Sequence, residues 1–149
     1  MIDKSFQKLI ENSSNIVVFT GAGISTESGI PDFRSPTGIW KKYQPIEFSD
    51  FLSSETVRIE AWRRKFEIDK NISKAMPNIG HIAIAKLVKS GKVKNVITQN
   101  IDNLHQESGI PSDIIIELHG NTTYAKCLDC GFKYNLSKIP SVETAVVNI

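Results

Sequence analysis

The chain has 149 residues, of which 40% are hydrophobic, 23% charged and 8% aromatic; this excludes a disordered, collagen-like or coiled-coil chain and predicts one domain with a core. Its 18 basic and 16 acidic residues leave a net charge of +2, too little to argue for nucleic acid or a membrane surface as partner. No apolar run approaches the ~18 residues of a membrane span. The N-terminus shows no signal-peptide pattern, and two cysteines make no disulfide framework, so the expected location is cytoplasmic.

Taken in order, Lys4 to Asn12 predicts a short helix, with Phe6, Leu9 and Ile10 on one face and Asp3 as its N-cap. Ile16 to Thr20 is an unbroken β-branched and aromatic run, which predicts a parallel strand buried on both faces. Val93 to Thr98 and Asp113 to Leu118 read as two more such strands. Residues 31–45 are rich in Pro, Gly and Ser and read as a loop. A helical pattern runs from Ser54 to about Lys74, and Pro77 breaks it. Asn78 or Ile79 opens the next helix, which runs to Ser90 and stops at Gly91. Asp102 to Ser108 reads as a short helix. Strands alternating with helices predict an α/β fold with right-handed crossovers. In the tail, Thr122–Tyr124 and Phe132–Asn135 are strand-like pieces around Cys127-Leu128-Asp129-Cys130-Gly131.

Each strand run leads straight into residues suited to binding or chemistry: Gly21-Ala22-Gly23-Ile24-Ser25, then Gln99-Asn100-Ile101-Asp102, then His119-Gly120-Asn121. In a parallel sheet these loops share the carboxyl edge, where open α/β sheets bind ligands. Gly21 and Gly23 allow backbone to approach a diphosphate at a helix N-terminus, although they also fit a plain tight turn. The dinucleotide fingerprint G-x-G-x-x-G is not met, because Thr26 stands at its third glycine, which disfavours an ordinary dehydrogenase. Asp32-Phe33-Arg34 places an arginine where it clamps phosphate or simply lies on the surface. Asn100 and Asp102 suit one polar ligand, and Asp102 equally suits a helix N-cap. His119 is a candidate general base. His81 and His105 are expected to be structural. Cys127-x-x-Cys130-Gly131 has the spacing of a zinc knuckle.

Gly21-Ala22-Gly23-Ile24-Ser25-Thr26-Glu27-Ser28-Gly29-Ile30-Pro31-Asp32-Phe33-Arg34 resembles the signature of the sirtuins, the NAD-dependent protein-lysine deacylases. So do Thr98-Gln99-Asn100-Ile101-Asp102-Asn103-Leu104-His105, Glu117-Leu118-His119-Gly120-Asn121, and the cysteine pair that follows. The resemblance implies a Rossmann-like parallel sheet, incomplete here, over residues 1–121. A helical cofactor-loop insertion would occupy 31–90, and a partial zinc-ribbon module 122–149. Gly21, Ala22 and Gly23 would hold NAD at its diphosphate, and Ser25 would belong to the same cofactor site. Asp32, Phe33 and Arg34 would form the cofactor loop. Gln99 would meet the nicotinamide ribose, and Asn100, Ile101 and Asp102 would form the nicotinamide pocket. Catalysis would fall to His119, Asn100 and Asp102, with His119 deprotonating a ribose hydroxyl. The implied reaction frees a lysine from its acyl group, releasing nicotinamide and O-acyl-ADP-ribose. Excluding water would protect the reacting sugar, which gives Phe33 a role as a shield.

The family carries two zinc cysteine pairs, whereas Cys127 and Cys130 are the only cysteines here. The resemblance therefore implies a chain shortened after the first pair, with two of four zinc ligands and impaired turnover. The alternatives are a non-catalytic fragment that binds NAD or a partner, and chains associating through an exposed sheet edge or a shared zinc. The implied partner is an acyl-lysine protein. Ala61 stands where relatives that prefer acidic acyl groups carry Tyr, three residues before Arg64, which favours simple acyl groups such as acetyl.

Overall fold

A computed structural model describes residues 3–32, 35, 38 and 43–139. Helix α1 (Lys4–Asn12) starts as predicted: the Asp3 carboxylate accepts from the Ser5 amide at 2.8 Å, satisfying a free donor of the first turn. Its other end is closed by the Lys92 ammonium, which donates to the carbonyls of Ile10 and Glu11 at 2.9 and 2.7 Å. A cation there suits the negative end of the helix dipole. None of the residues of α1 is buried.

Strands β1 (Ile16–Thr20), β2 (Val93–Thr98) and β3 (Ile115–Glu117) form a parallel sheet with β2 in the middle. The register aligns Val18, Val96 and Ile115 in one row and Phe19, Ile97 and Ile116 in the next. Neighbouring rows point to opposite faces of the sheet. The first row is covered. Val93, Val96, Ile110 and Ile115 form a core with Ile84, Ala85, Leu87 and Val88, residues of helix α4 (Ile79–Lys89).

The second row corrects the expectation that β1 is buried on both faces. Val17, Phe19 and Ile116 are 54%, 60% and 45% exposed. An apolar run records a strand's need for cover on both sides; the described residues supply it on one. The third strand is also shorter than predicted, because Ser112–Ile114 winds into a 3-10 turn after Pro111.

Helix α2 (Phe48–Ser53) was not legible in the sequence; Ser54 separates it from α3 (Glu55–Ile72). Arg58 ties the two, donating to the carbonyls of Phe51 and Leu52 at 3.2 and 2.9 Å. A short helix α5 (Leu104–Glu107) links β2 to β3. Strands β4 (Tyr124–Lys126) and β5 (Lys133–Asn135) pair antiparallel around the cysteines. This is the predicted strand, knuckle and strand, with its first strand starting later. The hairpin has its own small core, in which Ala125, Leu136 and Ile139 meet Trp62, Phe66 and Tyr134. Among the described residues no helix is long and apolar enough to cross a membrane.

Candidate functional site

The parallel topology brings Gly21, Gln99 to Asp102 and His119 to one edge, each just beyond the carboxyl end of its strand. Residues Ala22–Ser28 form a 3-10 helix that ends at Gly29, whose φ of 85° suits glycine. Asn78, the N-cap of α4, holds this segment in place. Its side-chain amide donates to the Ile24 carbonyl at 2.7 Å and the Ser28 hydroxyl at 3.0 Å. Backbone near the turn is open: a Cβ on Gly23 would meet nothing within 4 Å, and one on Gly21 would lie 3.8 Å from Gln99 Nε2.

Behind the turn lies a directed polar chain. Asn100 Nδ2 donates to the Gly21 carbonyl and to Ser25 Oγ, both at 3.1 Å. Ser25 donates in turn to Asp102 Oδ2 at 2.6 Å. The other oxygen, Asp102 Oδ1, accepts from the Leu104 amide at 3.0 Å. The N-cap of α5 is Asn103 rather than Asp102; one Asp102 oxygen holds the turn just before that helix, and the other meets Ser25 of the glycine loop. Ser25, Asn100 and Asp102 are all buried, so these bonds act in a low-dielectric setting.

A second layer lies beneath. Thr20 and Thr98 end their strands in register and bond to each other at 2.9 Å. Thr98 Oγ1 accepts from the Asn100 amide at 3.0 Å, and Thr20 Oγ1 lies 2.8 Å from His105 Nε2. His81 and His105 are fully buried, with ring centroids 5.1 Å apart. Burial and the neighbouring His81 push His105 down to about 4, against the pull of the Asp102 carboxylate. Burial also lowers His81, again against Asp102. Both imidazoles are thus neutral at physiological pH. The sequence marked the two as structural; their place below the site was missed. The available signal was the pair of threonines ending two strands.

His119 is exposed and lines a cavity of about 720 Å³ with Ile101, Asn121, Trp62, Tyr124 and Cys127. Asn100 and Asp102, both buried, do not line it. The loop carrying His119 is held by Glu117, which accepts from Gln106 and Asn121 at 2.7 Å and from the Tyr124 hydroxyl at 2.9 Å. Burial, followed by that bond, raises the Tyr124 phenol. Asn121 was not singled out in the sequence, yet it also donates to Asn103 Oδ1 at 3.0 Å, joining the second and third loops. Asp32 accepts from the Ser35 amide at 2.9 Å. Phe33 and Arg34 lie outside the described residues.

A model of the Sir2 family matches residues 21–147. The chain belongs to the Sir2 family. Among curated proteins it is 57% identical over 128 residues to an NAD-dependent protein deacetylase of Rhodopseudomonas palustris, covering 86% of this chain and 51% of that one. It is 49% identical over 138 residues to one of Thermodesulfovibrio yellowstonii, covering 93% of this chain and 53% of the relative. Among solved structures, a Sir2 protein with a p53 peptide and NAD+ superposes with a TM-score of 0.75 at 39% identity, covering 92% of this chain and 53% of that one. The chain thus spans about half the length of the curated relatives it matches. The α/β assignment stands with these neighbours.

Among the described residues, the ligands of the zinc implied for a Sir2 protein do not come together as a set. The hairpin has the form of a knuckle: the Cys127 amide donates to the Phe132 carbonyl at 2.9 Å, and the Gly131 amide to the Cys127 carbonyl at 3.0 Å. Gly131 takes a φ of 74°, which a side chain would strain. The amides of Cys130 and Asp129 point at the Cys127 sulfur and lower its thiol pKa. Among the described residues, however, no group of three or more His, Cys, Asp or Glu comes together. A structural zinc needs four ligands.

Proposed function

We propose that the chain carries the nicotinamide-facing part of an NAD-dependent protein-lysine deacylase. The buried Asn100–Ser25–Asp102 chain under an open glycine turn is the observation that carries this reading. NAD, when bound, supplies the sugar electrophile and its nicotinamide leaving group. Gly21 and Gly23 leave room for a diphosphate against bare backbone. Ser25 and Asn100 fix the Asp102 carboxylate, so Asp102 orients a polar ligand without first reorganising. His119 faces the large cavity and takes a hydroxyl proton there. That cavity is where the acyl-lysine of a protein substrate enters. Phe33 and Arg34 belong to the cofactor loop in this reading, and the two thiols suit a reducing cytoplasm.

A simple acyl group fits best. Arg64 is already engaged: its Nε donates to Glu60 at 2.7 Å, its Nη1 to the Gln44 carbonyl at 2.7 Å, and it lies 5.1 Å over the Tyr43 ring. Arg64 borders a second cavity of about 240 Å³ with the apolar Ile46, Ala61, Ile68 and Ile101. An acidic acyl group would have to break the Glu60 pair.

The test is incubation of the chain with NAD and an acetyl-lysine peptide, read by mass spectrometry, beside calorimetric titration with NAD. O-acetyl-ADP-ribose that disappears in His119→Ala supports the deacylase. The half-length match favours one second reading, an NAD-binding fragment without turnover, and heat of binding without product selects it. Neither binding nor product rejects both.

A further inference from the structure

We propose that His105 is a positioning residue of the cofactor site: with its proton on Nε2 it donates to Thr20, Thr20 donates to Thr98, and Thr98 holds the backbone of Asn100. The inference deepens the reading of this edge as an NAD site and rests on it. The directions follow from the donors whose protons are fixed. The Asn78 amide donates to His81 Nδ1 at 3.3 Å, so a neutral His81 carries its proton on Nε2. That nitrogen and His105 Nδ1 are buried with no hydrogen-bond partner, on two rings that meet edge to face. If Thr20 donated to His105, the His105 proton would sit on Nδ1. Two imidazole N–H groups would then be buried without an acceptor, each at a desolvation cost. With the proton on Nε2, the two unpaired nitrogens are of opposite kind, one a donor and one an acceptor. His105 Nε2 then donates to Thr20 Oγ1 at 2.8 Å, and Thr20 to Thr98 Oγ1 at 2.9 Å. The proton left over belongs to the Thr98 hydroxyl, which turns to find an acceptor where a ring N–H cannot.

The consequence is a set of bonds that grips the glycine turn from two sides. Asn78 holds it through the Ile24 carbonyl and the Ser28 hydroxyl. Asn100 holds it through the Gly21 carbonyl and the Ser25 hydroxyl. His81 is bonded to the backbone of Asn78, and His105 reaches the backbone of Asn100 by way of the two threonines. Both rings and both threonines are buried, so each of these bonds is made in a low-dielectric setting. Burial and the neighbouring His81 hold His105 at about 4, against the pull of Asp102. At neutral pH the ring therefore chooses between two tautomers and not between two charges. The tautomer decides whether Thr20 is free to donate to Thr98, and so whether the Thr98 oxygen is fixed under the Asn100 amide.

Long-range proton–nitrogen correlation spectra of the nitrogen-labelled wild-type chain at neutral pH read the tautomers without any variant. Both rings should carry the proton on Nε2. Thr20→Val keeps the volume of the side chain and removes its hydroxyl. It should speed hydrogen exchange of the Asn100 amide and weaken calorimetric NAD binding, each about tenfold, the order of one buried hydrogen bond. Thr20→Ser keeps the hydroxyl and loses a methyl group, and should recover most of both. A role in packing alone predicts the reverse order, with the serine variant the worse of the two. A His105 proton on Nδ1, or Thr20→Ser behaving worse than Thr20→Val, overturns the proposal. NAD binding unchanged in Thr20→Val overturns it too and leaves the reading of the edge as an NAD site standing. No NAD binding by the wild-type chain, even with both tautomers as expected, overturns that reading and the positioning role together.

Discussion

The carboxyl edge of the sheet and the cysteine hairpin are built on opposite plans. At the edge, Asn100, Ser25 and Asp102 are buried and bonded to one another, and a layer of threonines and histidines lies below. At the hairpin, Cys130, Leu128 and Phe132 face outward. Buried polar groups favour partners inside the chain, because leaving one unpaired costs about 1–3 kcal/mol; among the described residues His81 Nε2 and His105 Nδ1 are the exceptions in this layer. Exposed donors carry no such penalty and can wait for theirs. The edge is therefore held by bonds within the chain, whereas the hairpin leaves a thiol and apolar side chains exposed. The same contrast divides the two faces of the sheet, one under α4 and one left exposed by the described residues.

The largest expected effect breaks the edge at its foundation. Leu104 is 1% exposed and opens α5 directly after Asp102. Leu104→Ala should cost about 2–5 kcal/mol in urea unfolding, as the lost burial and the remaining cavity add together. A loss below about 1 kcal/mol would mean that the edge is no better packed than the hairpin.

Acid should attack the edge next. An unfolded imidazole titrates near 6.5, whereas His105 in the fold is held at about 4. Between those values the unfolded chain binds a proton that the folded chain refuses, so stability rises with pH. The contribution is complete above about pH 6.5, falls as the pH drops, and is gone below about pH 4, a total on the order of 3 kcal/mol. His81 is lowered as well and acts in the same direction. Asp3 and Glu60, held low by Ser5 and by Arg64, contribute only at more acid pH. Urea midpoints at pH 7 and pH 5 should therefore differ, and His105→Asn should shrink the difference. A midpoint independent of pH in that range would remove the buried, neutral histidine pair from the comparison.

A subtler change separates charge from shape. Asp102 accepts from Ser25 on one oxygen and from the Leu104 amide on the other. Asp102→Asn keeps the volume but sets an NH2 group against one of these donors. It should cost about 2 kcal/mol, the order expected for a charge-assisted bond replaced by a clash of donors. Unchanged stability would show that water fills the gap.

Much of this was legible in the residues. The apolar runs marked β1 and β2 to the residue, and the residues after them marked the edge, because strand and loop chemistry are local. Asp3, Asn78 and Gly91 announced helix ends for the same reason. What stayed hidden was relational. The bare face of Phe19 and Ile116 depends on what packs there, and nothing in a β-branched run reports it. The edge-to-face contact of His81 with His105 joins two helices that are separate in the chain. Asn121 gained its role from Asn103, on the second loop, and from Glu117, at the end of β3.

The smallest effects belong at the hairpin, and they sharpen the contrast most. Leu128→Ala and Cys130→Ser alter side chains that face solvent in a single chain. Neither removes a backbone bond of the knuckle, since those run between Cys127, Gly131 and Phe132. In metal-free, reduced protein each should shift unfolding by no more than about 0.5 kcal/mol. If Leu128→Ala proves as costly as Leu104→Ala, the hairpin is held as firmly as the edge and the division between the two fails.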